Sequence, residues 1–168
     1  REEIIRQEPT FFPQAPTLEN FRRLFTATDY PTYLSNSATV AIATTLTTIV
    51  VSMAAAYALY RLKIPGSGRL AGIILLSYMI PGTLLIVPLY GTLFRLGLID
   101  SHLGLVLVNV AFTAPFCTWL LRGFLLSIPQ DLDAAAALDG AGPIRTMTQV
   151  IFPLLAPGVA TVAVFSFV

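Results

Sequence analysis

"SATVAIATTLTTIVVSMAAAYALY", Ser37–Tyr60, runs for 24 residues without a charged side chain. A helix rises ~1.5 Å per residue, so about 20 such residues cross a ~30 Å hydrocarbon core. The run is continuous rather than alternating, which argues against a membrane β-strand. Three further stretches read the same way. Residues 70–94 are uncharged, and so are residues 103–122 as far as Leu121. Thr146–Val168 is also uncharged; its polar start places the span itself at about 153–168, cut by the end of the sequence. A soluble core helix can be apolar all round, but four such runs in one short chain make that reading poor. The expected fold is all-α: a polytopic transmembrane helix bundle.

Composition agrees. The chain has 168 residues, 55% hydrophobic and only 11% charged, against ~25% charged in soluble domains. Mean hydropathy is +0.76. A net charge of +1, with no Lys/Arg cluster larger than a pair, excludes a strongly basic nucleic-acid binder. Cys117 and His102 stand alone, so neither a disulfide framework nor a cysteine- or histidine-built metal site is expected. No ionisable group lies well inside a span, which argues against a proton relay, a voltage sensor or an intramembrane protease. The phosphate-loop pattern G-x-x-x-x-G-K-[ST] is absent, so ATP hydrolysis by this chain is not expected.

The linker "RLKIPGSGR", Arg61–Arg69, is basic with no acid and reads as cytoplasmic. "RLGLIDSH", Arg95–His102, then falls outside, and the segment after Arg122 is cytoplasmic again. Residues 1–36 become an external segment whose arginines are balanced by acids. That segment contains "PTFFPQAPTLENFRRLF", Pro9–Phe25, in which Phe21, Leu24 and Phe25 share one helical face. A short amphipathic helix at the membrane surface follows, begun by Thr17 or Asn20.

Within the spans, Ser52/Ala56 and Ala54/Ala58 form small-xxx-small pairs that permit close helix contact. "SYMIPGTLLIVPLYGTLF", Ser77–Phe94, carries Pro81-Gly82 and Pro88, so this helix should kink. Broken helices line transport pathways, and proline is also common in ordinary membrane helices. Asn109 and Thr113 are four apart and share a face; they either line a path or bridge two helices. Tyr78, Pro81, Asn109 and Thr113 are the candidate path residues.

The loop 123–152 is the most informative segment. "SIPQ", Ser127–Gln130, fits a capping box, and Asp131 and Asp133 put negative charge near a helix N-terminus. Ala134–Ala137 favour helix, and Gly140 supplies a left-handed cap. Pro143 starts a second helix, and Pro153 and Pro157 bend the chain as it returns to apolar sequence. The outcome is a slim, alanine-lined helix, a tight turn and a second helix. It can serve as a docking element or as a well-capped connector.

"AAAALDGAGPIRTMTQVIFPLLAP", Ala134–Pro157, resembles the EAA loop of ABC-importer permeases, with matches at Ala135, Ala136, Asp139, Gly140, Ala141, Ile151, Pro153 and Pro157. "AAYALYRLKIPG", "IPGTLLIVPLYGTLFRLGLID" and "AFTAPFCTWLLRGF" resemble the carbohydrate, maltose-permease-like branch. The likeness covers nearly the whole chain. It implies a six-helix permease, of which this chain holds the second to fourth helices and part of the fifth. It also implies a second permease subunit, a cytoplasmic ABC ATPase dimer that carries ATP-Mg, an external solute-binding protein and a sugar substrate. This chain itself would bind no cofactor or metal and would lie in a prokaryotic plasma membrane in contact with lipid. By the same likeness, the ATPase-docking loop comprises Asp133, Ala135, Ala136, Asp139, Gly140, Ala141 and Pro153. Two positions depart from the pattern. Ala134 stands where the family has glutamate, with Asp133 one residue earlier, a ~100° rotation on a helix. Phe152 replaces a leucine. The other readings of the residues are a non-transport membrane scaffold with a partner-docking hairpin, and half of a secondary transporter.

Overall fold

The computed structural model describes residues 17–62 and 64–168. The proline-rich start of the external segment and Lys63 of the basic linker lie outside them. The chain divides into two units, 1–37 and 38–168.

In the first unit, α1 covers Glu19–Ala27. The Thr17 hydroxyl accepts from the Glu19 N–H at 3.1 Å, satisfying one of the free donors at the helix start. None of its residues is buried. Phe25 meets Tyr30 edge-on, with ring centroids 5.3 Å apart.

The second unit is a helical bundle. Helix α2, Tyr30–Tyr60, begins in the first unit and lies mostly in this one. Helix α5 spans His102–Ser127. Both are long and apolar enough to cross a membrane. They pack through small residues: Ser52 and Ala56 are fully buried, whereas Ala54 is exposed. The Ser52 hydroxyl donates to the Ala114 carbonyl at 3.2 Å. Around this contact Met53, Tyr57, Cys117, Leu121 and Leu125 form the core with Ile151, Leu155 and Val162.

The other two apolar runs are broken. Helices α3 (Ser67–Tyr78) and α4 (Gly82–Arg95) meet at 98°. The expected kink is thus a full break, covering Met79–Pro81. Proline has no N–H to give, and it pushes the residue before it out of the helical region. Pro88 sits inside α4 without ending it.

Helix α6 covers Asp131–Leu138 and α7 covers Pro143–Thr146; a π turn, Met147–Ile151, leads into α8, Phe152–Leu154. A second break at Leu155 turns the chain by 82° into α9, Ala156–Phe167. Pro153 cannot donate to the Gln149 carbonyl in α register, and the π turn ends two residues before it, at Ile151.

Helix α5 runs on to Ser127, and this removes the capping box. The Ser127 hydroxyl donates back to the Phe124 carbonyl at 2.7 Å. Gln130 begins α6 without a side-chain cap. Ile128 is buried and extended, as the residue before a proline prefers, so Ser127 and Gln130 stand on opposite sides of a bend.

Candidate functional site

Helix α6 and its turn present two different faces. The helix ends in a paired hydrogen-bond cap: the Ala141 N–H donates to the Ala136 carbonyl at 2.9 Å and the Gly140 N–H to the Ala137 carbonyl at 3.1 Å. This closure requires a left-handed residue between them, and Gly140 supplies it at φ +77°. Gly142 is extended, and Pro143 opens α7.

The inner face of α6 is made by Leu132, Asp133 and Ala136. Leu132 packs against the core and Ala136 is buried. The outer face shows Ala134, Ala135, Ala137, Asp139 and Gly140. Leu138 is 90% exposed, and Ile144 beyond the turn is 77% exposed. The candidate docking residues therefore separate. Ala135, Asp139 and Gly140 are open to a partner, while Asp133 and Ala136 face their own bundle. Pro153 is exposed beyond the π turn, and Ala141 is half-buried.

Asp133 is engaged internally. Its Oδ2 pairs with Arg61 Nη1 at 2.8 Å, and its Oδ1 accepts from the Tyr57 hydroxyl at 3.3 Å. The Arg61 side chain is 4% exposed and that of Asp133 27%. Arg61 Nη2 also donates to the carbonyls of Ile128 and Leu125 at 2.8 and 3.2 Å. One guanidinium thus joins the end of α2, the end of α5 and the first turn of α6. Asp133 was legible as an acid of the loop; its partner lies far back in the sequence, and no local pattern points to it.

The candidate path residues fall into separate contacts. The Thr113 hydroxyl donates to the Asn109 carbonyl at 2.9 Å and lies 3.1 Å from the Thr48 hydroxyl. With the Thr113 hydrogen on Asn109, Thr48 supplies the hydrogen between the two hydroxyls. This links α2 to α5, which is the bridging alternative for Thr113. Tyr78 stacks on Phe116 with centroids 5.2 Å apart. Pro81 is exposed at the α3–α4 break. Among the described residues, no hydrogen bond or ring contact joins Tyr78 or Pro81 to Asn109 and Thr113.

Sequence reasoning missed a cleft of about 570 Å³ between α4 and the start of α5, lined by Gly82, Ile86, Tyr90, Ser101, His102 and Phe112 among others. No local sequence pattern points to it, since Gly82 and Phe112 meet only in the folded chain.

The model of one protein family, described as the binding-protein-dependent transport system inner membrane component, matches residues 48–168. The sulfoquinovosyl glycerol transport system permease protein of Agrobacterium fabrum is 38% identical over 166 residues, covering 99% of this chain and 58% of that protein. The trehalose transport system permease protein of Mycobacterium tuberculosis is 37% identical over 156 residues, covering 93% and 57%. This chain therefore spans less than two thirds of the length of either relative. A crystal structure of a bacterial ABC transporter involved in the import of the acidic polysaccharide alginate superposes with a TM-score of 0.87. It covers 99% of this chain and 58% of that one, at 21% identity. At that identity the likeness shows a shared fold.

Proposed function

The chain belongs to the binding-protein-dependent transport system inner membrane component family, and from that premise we propose that it serves an ATP-driven importer as a membrane permease subunit for a sugar or sugar conjugate. Its part is mechanical. A separate cytoplasmic ATPase pair hydrolyses ATP, a second permease subunit completes the path, and an external binding protein delivers the solute. The substrate class follows from the relatives, whose names refer to trehalose and sulfoquinovosyl glycerol.

One observation carries the coupling role: α6 turns Ala134, Ala135, Ala137 and Leu138 outward while its inner face is fixed to the bundle. Small side chains let a partner groove approach the helix backbone closely. Closure of the ATPase pair then moves α6, and the attached helices tilt between two states, which is what coupling between distant sites requires. The breaks at Pro81 and Leu155 accommodate such a tilt.

The test is co-purification of the full-length chain with the ATPase and its partner permease, followed by ATP-dependent uptake of labelled sugars into vesicles. Retention of the ATPase with ATP-dependent uptake supports the reading. Uptake that ignores ATP, or a complex without an ATPase, contradicts it.

A further inference from the structure

Helix α6 can pass on a movement only if something rigid joins it to the spanning helices. We propose that Arg61 and Asp133 form that joint, so that Asp133 is a positioning residue inside the permease rather than a contact to the ATPase. The inference rests on the coupling role proposed for α6.

Four features converge. Arg61 follows directly on the last residue of α2, and its side chain is almost fully buried. Its two Nη2 bonds go to the Leu125 and Ile128 carbonyls at the end of α5, where the Leu125 carbonyl also accepts the capping N–H of Ile128. Its Nη1 bond goes to Asp133 in the first turn of α6. Tyr57, one turn before Arg61 on α2, holds the second carboxylate oxygen. A guanidinium in a fixed fork geometry can hold three elements in one register, and a point charge cannot. A buried cation that loses its carboxylate is strongly destabilised, so α6 does not leave α2 and α5 freely. Force applied to the outer face of α6 therefore reaches both spanning helices through one side chain. The same geometry separates two neighbouring positions of the loop: Asp133 points into the bundle, while Ala134 points outward.

The test uses the full-length chain in the reconstituted importer, with Asp133→Asn and Arg61→Lys. Asn keeps the size of the side chain and removes its charge; Lys keeps the charge and removes the fork. Two quantities are read: ATPase retained on the purified complex, and solute transported per ATP hydrolysed. Both variants should retain the ATPase, and transport per ATP should fall roughly fivefold or more, the scale of coupling between sites. Normal transport per ATP in both variants overturns the joint. So does loss of the ATPase from Asp133→Asn alone, which would make Asp133 a docking contact. If the Asp133→Asn chain is not recovered in the membrane with its partner permease, Arg61→Lys decides, and a normal ratio there overturns the proposal. A wild-type complex that holds no ATPase is a different failure: it removes the coupling role of α6, and the joint falls with it.

Discussion

The Ala141 N–H reaches over Gly140 to the Ala136 carbonyl at 2.9 Å and closes the end of α6. Ala136 is buried and Gly140 exposed, so the cap fixes an outward turn onto a helix anchored from within. A β-branched residue at φ +77° is strained by roughly 1–2 kcal/mol. Gly140→Val should therefore distort the turn, leave the complex assembled and lower transport per ATP. Gly140→Asn, which tolerates the left-handed region, should be nearly normal. Transport assays of the two variants side by side check this, and normal coupling in the valine variant counts against a role for the turn.

Ala134 is exposed on the outer face of α6, one residue after the inward-facing Asp133. Ala134→Glu should tighten ATPase association. An exposed ion pair contributes at most about 1 kcal/mol, so the gain should be about fivefold or less and should vanish at high salt. Titration of the ATPase onto the reconstituted permease at two ionic strengths measures it.

Much of this architecture was legible beforehand. Uncharged runs marked the apolar helices, and Gly140 and Pro143 marked the turn between α6 and α7. The break at Pro81 was legible as a kink, because proline removes a donor wherever it stands; its size was not, since Pro88 carries the same chemistry and α4 continues through it. The capping box at Ser127 failed because a local pattern cannot show that α5 continues to that residue and that Ile128 is buried behind it. The inward direction of Asp133 was hidden for a related reason: it depends on Arg61, which only folding brings near. The separation of Ala135 from Ala136 into outer and inner faces likewise needed the bundle.

Gly158 sits against Phe124, and a Cβ there would stand 2.8 Å from ring carbon Cδ2 and 3.2 Å from Cβ of that side chain. This close approach sets the spacing of α5 and α9. Gly158→Leu should cost about 1–3 kcal/mol through overpacking, seen as a lower unfolding midpoint of the purified complex in detergent. An unchanged midpoint would show that the two helices are not held this closely.

Thr48 and Thr113 link α2 to α5 through hydroxyls 3.1 Å apart. Interhelical hydrogen bonds in membranes average about 0.6 kcal/mol in double-mutant cycles. Thr48→Val, Thr113→Val and the double variant should give a coupling energy of that size in stability, with little change in which solutes the reconstituted complex takes up. A large shift in substrate preference would instead place Thr113 in the path.

The central claim is that the outer face of α6 meets the ATPase. The most direct measurement places a photoreactive phenylalanine derivative at Leu138, which is 90% exposed, in the full-length chain co-expressed with its ATPase. Illumination should yield a crosslink to the ATPase. A complex that carries the ATPase but gives no such crosslink from Leu138 would contradict the account.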